Sequence, residues 1–344
     1  MTTKCLRRTL WSCSVCKYDY YCICTFILNV QTIEMIKGFE NYLKTSQNLR
    51  RPIDITNGGR EISRKNDTML YDAMSVIGTY VPDRVIDRIS MMMRQKTIIA
   101  RKQISDRCSM AYMESNPPTK MFLDLGVSVA GYIEGTFMRT PLKVTVYYLG
   151  DVLGNKELPR SLSKKFKKQT IMSPSEVNSG VTYGDEFHSI IVIFRREEAE
   201  KVLVHELLHA YRFELRSAPK ESLQKRWGIV SDVPILLNET YVEVIASFMY
   251  AHASGLNLTE LKTHFLNQAE KIMCMMTYAG EFRQKTHVFE YYIVKAAMFN
   301  EMSPRDLSQL MDTSSQDRLL QFMLDATDEY LKSFSCGLSM TIVS

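Results

Sequence analysis

Lys201-Val-Leu-Val-His205-Glu206-Leu-Leu-His209-Ala-Tyr-Arg212 is the stretch on which the reading of this chain turns. Residues four apart share one face of an α-helix, one turn above each other, so a helix here aims the imidazoles of His205 and His209 at a common point. Two nitrogens so placed suit a single metal ion, with Glu206 standing beside it. This is the H-E-x-x-H spacing, in which the histidines ligate zinc and the glutamate takes a proton from the zinc-bound water. Val204, Leu207, Leu208, Tyr211 and Leu215 form an apolar stripe with the histidines at its edge, so the helix can pack in a core and still present both rings to a cleft. A plain buried helix would instead leave Glu206 needing a buried partner, which is costly.

The flanks support a helix next to a sheet. Residues 189–194 (SIIVIF) are short, apolar and β-branched, which predicts an edge strand, and Arg195 switches the pattern to helix. Glu197 and Glu198 suit the positive end of the helix dipole, and Ala218-Pro219 predicts its end. A two-histidine site needs a third protein ligand and an open position for water. Downstream, Asp232 as a cap, Pro234 in the first turn and Gly255 as a stop delimit a helix over 234–253. It carries Asn238, Glu239 and Glu243. Two carboxylates four apart on an otherwise apolar helix face the same way, and zinc supplies the cation that burying them requires. Either carboxylate fits as the third ligand.

Composition sets the outer bounds. The chain has 344 residues, 45% hydrophobic and 24% charged, enough for a sizeable core in one or two domains. A formal net charge of +5 does not mark a nucleic-acid binder. The basic run 160–168 reads as a solvated face, or else as a phosphate- or acid-binding patch. Of eight cysteines, Cys5, Cys13, Cys16, Cys22 and Cys24 crowd the first residues, leaving Cys108, Cys274 and Cys336 scattered. Scattered cysteines make no disulfide framework and point to a reducing compartment.

In chain order, residues 1–30 form a Cys-rich extension. A basic start and an apolar run suggest targeting or anchoring, but Lys17 and Asp19 cut that run to about ten residues, too short to cross a bilayer. A metal site on its cysteines and an unordered segment are the other readings. Residues 31–120 read as helical, with helices over 32–45, 69–80, 82–94 and 97–113. Residues 121–217 hold strands over 122–129 and 143–149, a polar excursion over 150–185, the 189–194 strand and the motif helix. Residues 218–344 form a helical part carrying the third ligand, with helices over 258–278, from Ser303, and over 315–332. Between them, His287 and Tyr291 are i, i+4 neighbours in a further helical stretch. The fold class expected is α+β, mostly helical, with a small mixed sheet next to the active-site helix.

Over residues 189–253 the chain resembles the zincin metallopeptidases of the gluzincin type, in which a glutamate on a second helix, often within an Asn-Glu pair, completes the His-Glu-x-x-His site. The resemblance implies a zincin-like fold binding Zn2+ through His205, His209 and Glu239, with Glu206 as general base. Glu243 becomes a second carboxylate held against a ligand histidine, or the alternative ligand. No third histidine of the metzincin kind follows His209, and Val242 stands where an alanine is common in the family, whereas Ala246 holds that place relative to Glu243. The resemblance also implies a downstream histidine or tyrosine at the oxyanion, for which His287 and Tyr291 are the candidates, ahead of Tyr292 and Arg283. The expected function is peptide-bond hydrolysis on a peptide or protein substrate, with no nucleic-acid partner and membrane association only through residues 1–30. The competing reading is a non-catalytic helical interaction protein, metal-free or with structural zinc. A glycan on the Asn238 sequon would collide with the proposed site, which together with the cysteine usage favours an intracellular, cytoplasmic location.

Overall fold

The computed structural model describes residues 39, 60–61, 70, 78, 80–95, 97–136, 142–150, 152–153, 172, 174–213, 215, 222–278, 281–301 and 316–333. The expectations for residues 1–30, the basic run 160–168 and the helix from Ser303 lie outside them, as do nearly all of 32–45 and 69–80.

Six strands form the main sheet: β1 (Arg60–Glu61), β2 (Ile98–Gln103), β3 (Cys108–Met113), β4 (Lys143–Tyr148), β5 (Gly180–Gly184) and β6 (His188–Ile193), in the order β1-β2-β3-β4-β6-β5. β3, β4 and β6 run parallel, while β1, β2 and β5 pair antiparallel, so the sheet is mixed. Strand neighbours alternate between two cores. Ile190, Val192 and Phe194 join Val85, Ile89 and Met92 of the Asp83–Arg94 helix on one face. Ile191 and Ile193 join the Lys120–Thr136 helix and the remaining helices on the other. Burial on both faces explains why β6 reads as an unbroken apolar run.

Three expectations are corrected here. Residues 97–113, expected as a helix, form the β2–β3 hairpin, with Ile99 opposite Met113 and Gln103 opposite Ser109. The apolar residues Ala100, Ile104 and Cys108 mimic helical spacing, but the Ser105 hydroxyl accepts from the Cys108 amide at 3.0 Å and donates to Glu134, turning the chain. Residues 122–129, expected as a strand, lie in the Lys120–Thr136 helix. The alternation of 123–129 is real, yet Phe122, Leu125, Gly126, Val129, Ala130, Tyr132 and Ile133 are the buried set, a helical stripe started by the Thr119 hydroxyl, which accepts from the Phe122 amide at 3.0 Å. The edge strand is β5, from within the expected polar excursion, and β6 lies inside it.

The motif helix spans Ala199–Ala210, shorter at both ends than expected. Arg212 takes a left-handed backbone, φ 63°, and the Phe213 amide folds back to the Leu208 carbonyl at 2.9 Å, closing the helix directly after His209. It packs on β5, β6 and the Lys120–Thr136 helix, with the glutamate helix, Leu237–Ser254, across it. Gly255 ends that helix with φ 66°, the left-handed position expected from sequence. It starts three residues after Pro234, because Glu290 accepts from the Leu236 amide at 3.0 Å and so satisfies one of the first orphan donors.

A second sheet of three strands, β7 (Ile229–Ser231), β8 (Thr277–Tyr278) and β9 (Glu281–Gln284), follows the order β7-β9-β8. Helices Leu258–Met276, Lys295–Glu301 and Gln316–Ser333 complete the second half, and Phe289–Val294 is a π-helical turn. Among the described residues no helix is long and apolar enough to cross a membrane. Cys108 is a free, buried thiol, whereas Cys274 is disulfide-bonded, which departs from the expectation of reduced cysteines.

Candidate metal centre

The site lies where the C-terminal end of the motif helix crosses the first turns of the glutamate helix. His205 Nε2 and His209 Nε2 are 3.1 Å apart. Glu239 Oε2 lies 3.7 Å from the first and 3.4 Å from the second. Two nitrogens and an oxygen bound tetrahedrally at zinc distances of about 2.0–2.1 Å would sit about 3.3 Å from one another, so the three observed separations bracket that value. Among the described residues, His205, His209 and Glu239 are the group of metal-ligating side chains whose donor atoms all fall within 4.8 Å. The donor set of two imidazoles and a carboxylate therefore fits zinc.

The two carboxylates of the glutamate helix divide by which nitrogen they face. Glu243 Oε2 lies 3.1 Å from His205 Nδ1, on the far side of the ring from Glu239. It accepts the Nδ1 proton, which leaves the Nε2 lone pair turned toward His209 and Glu239. Burial alone would raise the Glu239 carboxyl, but the two imidazoles hold it well below the usual carboxylate range. Burial would likewise raise Glu243, yet Lys201, Lys295 and His205 hold it well below. Burial in turn pushes the Lys295 ammonium down to about 8, against the pull of Glu243.

Glu206 meets β5 while remaining close to both imidazoles and Glu239. It is buried, and burial raises its carboxyl above the ordinary value. Thr182 of the edge strand donates its hydroxyl to Glu206 Oε2 at 2.7 Å. Gly180 sits in the same strand so close to the helix that an added Cβ would lie 2.6 Å from Val202 and 3.1 Å from Glu206, which is why the strand can bring Thr182 within reach. A hydrogen bond to a charged group contributes about 1.5–3 kcal/mol, so Thr182→Val is expected to lower any Glu206-dependent hydrolysis by about 10- to 100-fold while the zinc content stays at the wild-type value. Paired assays of metal content and peptide cleavage check this, and equal loss of both would move Thr182 into the framework of the metal centre.

Tyr291 donates its hydroxyl to Glu239 Oε2 at 2.9 Å, and its ring meets His205 edge-on at 5.8 Å. Burial first, then Glu239, keeps that phenol well above its ordinary pKa, so it stays a donor. His287 stands one layer out. Its Nδ1 lies 3.0 Å from Glu290 Oε1, and its ring stacks on Tyr80 and meets Tyr291 edge-on at 6.2 Å. Glu290 also takes Gln284 Nε2 at 3.2 Å, and its carbonyl accepts from Thr240 at 3.0 Å, tying the π-turn to the glutamate helix. Of the lesser candidates, Tyr292 lines the neighbouring cavity, while Arg283 pairs with Glu281 at 2.8 Å and takes no part in the cluster. Asn238 Oδ1 accepts from the Leu215 amide at 2.7 Å, holding the chain that leaves the motif helix.

A cavity of about 230 Å³ opens beside the cluster, bordered by His205, Glu206, Gly180, Lys201, Phe265 and Tyr291 among others. Thr182, Lys201, Lys295 and Glu290 were not singled out from sequence. Only Lys201 had a local signal, standing one turn before His205, on the face that meets Glu243. No family model, curated protein or solved structure matches the chain.

Proposed function

We propose that the chain is a zinc-dependent peptidase of the gluzincin-like zincin type, hydrolysing a peptide or protein substrate. The observation that carries the reading is the triangle of His205 Nε2, His209 Nε2 and Glu239 Oε2, formed by two helices with Glu206 beside it. These three side chains would hold the zinc, which when bound supplies Lewis acidity toward water and a carbonyl oxygen.

The protein's own groups do the rest. Glu206 takes the proton of the attacking water and returns it to the leaving amine. Its raised pKa suits both steps, since a base poised nearer the working pH gives the proton back more readily. Thr182 holds the Glu206 carboxylate by its Oε2. Tyr291 is the nearer hydrogen-bond donor for the developing oxyanion, and His287, fixed by Glu290, stands behind it.

Metal analysis of the purified full chain tests this. About one zinc per chain is expected in the wild type, and His205→Ala should retain almost none, because a two-ligand remnant binds far more weakly. A zinc-free wild type that still folds would favour the non-catalytic interaction protein.

A further inference from the structure

Two lysines converge on the carboxylate behind His205. Lys201 stands one turn before His205 on the motif helix, and its Nζ bonds to Glu243 Oε1. Lys295 opens the helix that follows the π-turn. It is buried, its Nζ is 2.8 Å from the same Glu243 Oε1, and it lies 3.9 Å over the ring of Phe265. One oxygen of Glu243 therefore takes both ammoniums, and the other is left to His205 Nδ1.

This division has a directional consequence. A buried carboxylate needs compensating cations, and when both approach from one side the carboxylate is fixed in charge and in rotation. Its other oxygen is then held 3.1 Å from His205 Nδ1, which keeps the proton on Nδ1 and the lone pair on Nε2. Lys201 belongs to the same helix as His205, Glu243 to the glutamate helix and Lys295 to the C-terminal half. The relay thus reports the docking of three elements to one ligand ring.

Resting on the peptidase reading of this site, we propose that Lys201 and Lys295 are positioning residues for the metal centre. Acting through Glu243, they orient His205 so that the protein binds zinc tightly. Both bond to Glu243, which meets His205 at Nδ1 and not at the metal-facing Nε2, so their effect is on affinity and not on ligand number.

The test is zinc affinity by competition with a chromogenic chelator, measured on the full chain as wild type, Lys295→Met, Lys201→Met and Lys201→Arg, with the melting temperature of each zinc-free protein recorded alongside. Altering the group that holds a metal ligand directly, here Glu243, costs about 10–100-fold in affinity, so Lys295→Met, acting one bond further out, is expected to lower zinc affinity by up to about tenfold. Lys201→Met should weaken binding less, since Lys295 remains on Glu243, and Lys201→Arg should restore it. A purely packing role would lower the zinc-free melting temperature and leave zinc affinity at the wild-type value, and that result in both methionine variants overturns the proposal. Should Lys295→Met fail to fold, the Lys201→Met and Lys201→Arg pair still decides it. The two readings fail differently. A wild type that binds no zinc overturns both, whereas zinc bound by the wild type, lost in His205→Ala and unchanged in the lysine variants overturns this inference alone.

Discussion

Glu206→Gln is expected to keep its zinc and to lose peptide hydrolysis by roughly 10²–10⁴-fold, the range that a positioned general base contributes. The two side chains are nearly the same size, so the buried niche between the motif helix and β5 stays filled. Thr182 can still donate to the amide oxygen, provided the amide nitrogen turns toward the cavity. What disappears is the ability to accept a proton. The His205 and His209 nitrogens keep their own carboxylates, Glu243 and Glu239, while Glu206 is held by Thr182. Burial already raises the Glu206 carboxyl, so removing its charge should not destabilise the fold. Zinc stoichiometry together with cleavage of a quenched fluorogenic peptide pool is the measurement. Wild-type turnover in this variant would remove Glu206 from the chemistry.

The second large effect separates the two carboxylates of the glutamate helix. Glu239→Ala is expected to abolish stoichiometric zinc, since it removes one of the three donors and leaves Tyr291 without its acceptor. Glu243→Gln should retain zinc with affinity lowered about 10–100-fold, the cost of altering the acceptor of a ligand histidine. That variant also leaves the buried Lys295 ammonium without its carboxylate, so it should melt at a lower temperature. Equilibrium dialysis against zinc and thermal unfolding read both outcomes. Zinc retained in Glu239→Ala and lost in Glu243→Gln would exchange the two roles.

Legibility differed between the site and its scaffold. The motif helix was readable because four-residue spacing and an apolar stripe are local signals, although Glu197 and Glu198, expected in its first turn, precede Ala199 where it begins. The β2–β3 hairpin was not, because Ala100, Ile104 and Cys108 fall at intervals that suit a helix, while the turn is made by Ser105 reaching Glu134 across 29 residues. Residues 122–129 misled in the opposite sense. Alternation at Leu123, Leu125, Val127 and Val129 fits a strand, and the decision for helix came from the core that receives Phe122, Val129 and Ile133. β5 was hidden in a polar stretch, yet it supplies Thr182, since an edge strand need not be apolar to pair with β6.

The sequence by itself determined that two imidazoles and a glutamate share one helix, that a second helix bearing two carboxylates ends at Gly255, and that a β-branched strand precedes the first. These follow from backbone periodicity and from the left-handed turn a glycine permits, which need no distant partner. Only the tertiary structure decided which carboxylate meets Nε2 and which meets Nδ1. Glu239 and Glu243 lie on one face about 6 Å apart along the axis, so the choice depends on where the two helices cross. That crossing is set by packing against the sheet and by the Glu290 anchor at Leu236, contacts between residues far apart in the chain. The same crossing brings Lys201 and Lys295, 94 positions apart in the numbering, onto one oxygen of Glu243.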